Sequence, residues 1–222
     1  MVGVLFVGIL VLHVAGGILA LVAGPVAMLA QKGRALHRQA GRCFAGAMVV
    51  TAASAFTLAI VTRNLLLLVI AVFSFFLVFT GWRALDQRLL HLGGRGARWF
   101  DWLVASLTLA FSAGLFVAGL AAGGEVTQLF FGVGGSYLAL RVMRQLTGRG
   151  VRPGDWVVRH LVGMSAAYIA TISAFAVVSL TALPRPVAFI APTLIGTPLI
   201  IWQAYRRKAA GGRRATAMVA PA

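Results

Sequence analysis

The chain has 222 residues, of which 60% are hydrophobic and only 11% charged, so it carries too few polar side chains to cover a water-facing surface; an ordinary soluble domain is excluded. A formal net charge of +16 would suggest a nucleic-acid partner in a soluble protein, but here the basic residues cluster in alternate loops and report membrane orientation, so none is expected. A single cysteine, Cys43, rules out an intrachain disulfide framework.

Recurring apolar runs of membrane-spanning length predict seven helices, over about residues 2–30, 42–62, 65–84, 102–121, 126–143, 157–181 and 187–205. The expected fold class is therefore all-α, a polytopic integral membrane protein in which residues 1–205 form a single seven-helix bundle. The remaining tail, 206–222, is basic and glycine-bearing, and is expected to lie without fixed structure against anionic lipids. Lys32 to Arg42, Arg83 to Arg98, Arg141 to Arg159 and Arg206 to Arg214 hold nearly all the cations, which predicts an N-terminus outside and a C-terminus in the cytoplasm of a bacterial inner membrane. Trp82, Trp99, Trp102, Trp156 and Trp202 fall at the same predicted inner ends, as interfacial tryptophans should.

Helix 1 lacks a basic stretch before its apolar run and reads as a retained helix, not a removed signal peptide. Gly16, Ala20 and Gly24 form a small-residue stripe suited to close helix packing, with intramembrane His13 on the same face. A neutral His13 imidazole can be satisfied by a carbonyl or a serine of a neighbouring helix, or it can carry function. Pro25 removes the amide that would bond the Leu21 carbonyl and should kink the helix. Before helix 2, the stretch LHRQAGR carries His37, Arg38 and Arg42. Phe73, Phe75, Phe76 and Phe79 crowd helix 3 and predict either lipid-facing bulk or a surface for docking a membrane-protein partner. Between Arg83 and Arg98 the leucines 85, 89, 90 and 92 alternate with arginines, predicting a short amphipathic element along the inner surface.

Gly123 and Gly124 fit a tight outer turn before helix 5, where Gly132, Gly134 and Gly135 predict close packing. On helix 6, His160, Met164, Tyr168, Thr171 and Phe175 recur at three- or four-residue spacing and put a partly polar stripe on one face. Arg159 beside it can snorkel to the headgroups, whereas His160 reaches less far. Pro184 and Pro186 mark the turn before helix 7, and Pro192 and Pro198 predict bends within it.

Four acidic residues, Asp86, Asp101, Glu125 and Asp155, all fall in loops or at helix ends, so no carboxylate relay crosses the bilayer. Both lysines, Lys32 and Lys208, lie at the membrane edge, which excludes a retinal Schiff base in the last helix. No G-x-S-x-G, H-E-x-x-H or P-loop occurs, and no catalytic signature assigns an enzyme activity.

The series His13, Gly16, Ala20, Leu21, Gly24 and Pro25, then His37, Arg38, Gly41 and Arg42, then Arg159, His160, Met164, Ser165 and Tyr168, resembles an uncharacterised family of bacterial multi-helix membrane proteins, domain-of-unknown-function family 2306. Members often have an aromatic after the second arginine, where this chain has Cys43 and then Phe44. The resemblance implies a polytopic membrane protein with histidine and arginine near the inner face, and no activity.

From the residues, the leading expectation is a binding or accessory protein with a ligand-binding pocket at the inner face, built from His37, Arg38, Arg42, Arg159 and His160 and deepened by Met164 and Tyr168. Guanidinium forks suit a carboxylate, a phosphate, a lipid headgroup or a quinone-like molecule. The alternatives are a b-type haem between two axial histidines drawn from His37, His91 and His160, a small-molecule transporter, an enzyme acting on lipid with histidine as base, and a subunit docked on a larger complex through helix 3. No metal site is expected.

Overall fold

A computed structural model describes residues 2–219 and contains seven helices: α1 (Val2–Leu29), α2 (Ala35–Thr62), α3 (Leu65–Arg83), α4 (Trp99–Ala121), α5 (Val126–Leu146), α6 (Asp155–Ser179) and α7 (Arg185–Val219). Six of them, all but α5, are long and apolar enough to cross a membrane, as a multi-pass membrane protein requires. Their large apolar side chains remain outward-facing, among them Leu5, Val11, Ile60, Leu107, Val117 and Ile195, a surface that water would not tolerate and lipid tails would.

The expected seventh span, α5, falls short on polarity and not on length. Its 21 residues reach about 31 Å, enough for a bilayer core, but Gln128, Gly132, Gly134, Gly135, Ser136, Tyr137, Arg141 and Arg144 dilute its apolar character. α2 starts at Ala35 and not near 42, because the polar turns around His37 and Arg38 continue the helix below its apolar part. α7 likewise runs past 205 to Val219, where a tail without fixed structure was expected; alanine, arginine, lysine and methionine are good helix formers and nothing between 206 and 219 breaks the ladder except Gly211 and Gly212. Residues 220–222 of that tail lie outside the described residues.

Contacts divide the chain into two compact units. The first comprises Met1–Phe79 with Leu161–Ala222, and the second Thr80–His160. In the first, α1 and α2 meet along the small-residue stripe. Ala20 and Ala23 are buried with Phe44, Ala47, Met48, Val78 and Ala167, and Met164 and Tyr168 pack against this core. A Cβ at Gly16 would come within 2.6 Å of Thr51 Oγ1, and one at Gly24 would collide with the Tyr168 ring, so both glycines are demanded by close approach. Phe73 and Phe76 of α3 are buried within the chain, and Phe75 stacks on Phe79 at 5.7 Å between centroids, so the phenylalanine-rich surface is turned inward at two of its four positions.

In the second unit, α4 and α5 form an antiparallel pair. A Cβ at Gly132 would lie 2.7 Å from the Phe116 amide nitrogen, and one at Gly119 about 3.2 Å from the Leu129 side chain. Nearer the other end, the turn after α5 meets the segment before α4: a Cβ at Gly148 would lie 2.7 Å from the Leu90 carbonyl and from the Gly94 amide. α5 therefore travels back along the full length of α4. The segment before α4 is not the amphipathic surface element expected from its leucines. It is a succession of turns with glycines 93, 94 and 96 at positive φ, and Leu90 and Gln87 are buried within it while Leu89 and Leu92 remain exposed. Three glycines in four positions deny it helical continuity.

Candidate functional site

The histidines expected at the site are engaged with backbone carbonyls. His37 Nδ1 lies 2.8 Å from the Ala27 carbonyl at the end of α1, where Lys32 Nζ also donates to the carbonyls of Ala27 at 3.2 Å, of Ala30 at 3.4 Å and of Met28. These groups take up carbonyls that a helix end leaves without an amide. Burial, and then the charge of Arg207, holds the Lys32 ammonium below the ordinary lysine pKa. Arg38 donates to the Gly33 carbonyl at 2.5 Å and Arg42 is exposed.

His13 follows the bland alternative open to it in the sequence. Protonated at Nδ1, it donates to the Thr51 carbonyl at 3.1 Å, with Ser54 Oγ at 3.3 Å. His13 precedes Ala27, the partner of His37, by 14 positions on α1, about 21 Å along the axis, so these two rings do not face one another across a single iron. Among the described residues no group of three or more His, Cys, Asp or Glu side chains is placed to hold a metal ion.

Tyr168 has a defined structural partner. Pro25 deprives the Leu21 carbonyl of its helical amide, and the Tyr168 hydroxyl donates to that carbonyl at 3.4 Å. The ring lies over Gly24 and meets Phe44 edge-on at 6.1 Å. Next along the face, Thr171 Oγ1 bonds the Ala167 carbonyl at 2.9 Å and approaches Met48 Sδ at 3.0 Å.

Of the expected ligand-binding residues, His37, Arg38, Arg42, Met164 and Tyr168 belong to the first unit, and Arg159 and His160 to the second. In the second unit the C-terminal end of α3 and the N-terminal ends of α4 and α6 carry a polar cluster. Asp101, in the first turn of α4, accepts from Arg83 Nε at 2.7 Å, from Arg83 NH2 at 3.0 Å and from the Arg98 amide at 2.8 Å. This is a two-pronged guanidinium–carboxylate pair, and both residues are buried. Arg83 also reaches exposed Asp86 and lies 4.8 Å above the Phe100 ring. The Gln87 side chain, only 2% exposed, lies beside the Asp101 carboxylate and accepts from Arg159 NH2 at 2.5 Å. His160 Nδ1 lies 2.9 Å from the Gly81 carbonyl, fixing α6 to the end of α3.

The cluster is incomplete at one atom. Arg159 NH1 is buried and has no hydrogen-bond partner among the described residues. Asp101 and Asp155 are the carboxylates whose charge bears on Arg159; Asp101 is taken by Arg83, and Asp155 accepts from the Arg152 amide at 2.9 Å. His91 Nδ1, in the turns before α4, is likewise buried without a partner among the described residues. The sequence singled out Arg159 and His160 but not Arg83, Gln87 or Asp101. The available signal was that Arg83 closes one apolar run while Asp101 opens the next, at matching depth.

No family model, no curated protein and no solved structure matches this chain, so the likeness to family 2306 rests on its short motifs alone.

Proposed function

We propose that this membrane protein binds an anionic ligand at the inner ends of α3, α4 and α6, with Arg159 as the principal contact and Gln87 and His160 as the groups that position it. One observation carries the reading: a guanidinium nitrogen is buried with its donors unanswered, next to a carboxylate already neutralised by another arginine. A buried donor left unanswered costs about 1–3 kcal/mol, which a bound anion can return. Buried Arg83 and half-buried Arg159 stand against one buried carboxylate, which leaves an excess of one positive charge in the cluster.

The cytoplasmic orientation of this cluster is part of the proposal. It is supported by the loop-by-loop placement of arginines and by α5 retracing α4, as a seventh crossing would despite its polarity. Kinship with family 2306 belongs to the same proposal and adds no activity to it. Haem binding, transport and subunit docking through α3 have less in their favour, since no observation in either unit calls for them.

The test is thermal unfolding of the detergent-purified chain titrated with oleate, inorganic phosphate and phosphatidylglycerol at matched ionic strength. At least one anion should stabilise the wild type, and Arg159→Gln should abolish that stabilisation. An unchanged response in Arg159→Gln for every anion would remove the basis of the proposal.

A further inference from the structure

The anion can be specified further, on the strength of the reading just given. We infer that the group bound at Arg159 is a phosphate. A carboxylate pairs best with a guanidinium through two parallel bonds, as Asp101 does with Arg83. At Arg159, Gln87 already takes one of the two NH2 donors at 2.5 Å, so fewer are left for a two-pronged partner. A tetrahedral phosphate can accept from NH1 alone and direct its remaining oxygens to a second cation.

A second cation is at hand. The Arg88 guanidinium is exposed and sits 4.6 Å above the Trp156 ring, and Trp156 precedes Arg159 by one helical turn on α6. Arg88 and Arg159 are thereby held against the same edge of α6, one at the surface and one beneath it. Trp82 and Trp99 are exposed at the ends of α3 and α4, the level at which headgroup phosphates sit in a bilayer.

The phosphate can belong to a lipid headgroup or come from solution, and the experiment separates the two. The full chain, stripped of lipid in mild detergent, is offered phosphatidylglycerol, inorganic phosphate or oleate, and retention is read by native mass spectrometry with thermal unfolding alongside. Retained phosphatidylglycerol, weakened about tenfold or more in Arg159→Gln and by a smaller, salt-dependent factor in Arg88→Gln, supports a lipid phosphate. Stabilisation by inorganic phosphate alone, with the same dependence on Arg159, supports a soluble one. Arg159→Lys guards against a variant that merely fails to fold: it keeps the cation, so its unfolding without ligand should match the wild type and phosphate binding should persist, weakened, where Arg159→Gln loses it. Oleate matching phosphatidylglycerol in an Arg159-dependent way would overturn the phosphate while leaving anion binding standing. No Arg159-dependent binding of any of the three would overturn both.

Discussion

Tyr168 and Gly24 act on each other through a defect in α1 that proline created. Tyr168→Phe removes the donor to the Leu21 carbonyl and should cost about 1 kcal/mol in thermal or denaturant unfolding in detergent. Gly24→Ala drives a methyl into the ring and should cost more, and Tyr168→Ala should rescue part of that loss when the two are combined. Additive effects would show that the two positions do not share this contact. Where α3 meets α4, Asp101→Asn leaves the buried Arg83 guanidinium with only the exposed Asp86 carboxylate as counter-charge and should destabilise by about 3 kcal/mol. Arg83→Met combined with Asp101→Asn should cost less than the two single changes summed, and equality would mean the pair contributes no coupling. The sequence made half of each relationship legible. Pro25 announces a carbonyl without an amide, but not the hydroxyl that answers it from 147 positions away. Arg83 and Asp101 read as two ordinary helix-end charges, because nothing local says that residues 18 apart across a run of turns will meet.

Among the elements, the apolar runs located all seven helices, since a span of lipid-compatible length leaves little else for the chain to do. What they did not locate was the polar continuation of α2 to Ala35 and of α7 to Val219, where helix persists after hydropathy has ended. They also misled between Arg83 and Arg98, where leucine spacing suggested a surface helix and the glycines at 93, 94 and 96 dictated turns. α5 is the instructive element: its glycines lower its apolarity, and Gly132 lets α4 come against it. Gly132→Leu should therefore force α4 and α5 apart and lower the unfolding temperature markedly, whereas Gly134→Leu, where an added Cβ meets nothing, should be nearly silent. Equal losses from both would mean that helix propensity, not packing, sets the cost.

For the molecule as a whole, the seven-crossing arrangement proposed above makes a sharp prediction about sidedness. On a Cys43→Ala background, Glu125→Cys should react with a membrane-impermeant maleimide in intact spheroplasts, while Arg149→Cys should react only after lysis. Labelling of both from the same side would show that α5 does not cross. The joint between the turns around Gly94 and Gly148 has a practical corollary of its own. Main chain meets main chain there with no room even for a methyl group, whereas added bulk at Gly123 or Gly124 would meet open space. A fluorescent or affinity tag spliced into the latter hairpin should ride along unnoticed; the same cargo at either of the former would act as a wedge between two turns that otherwise touch.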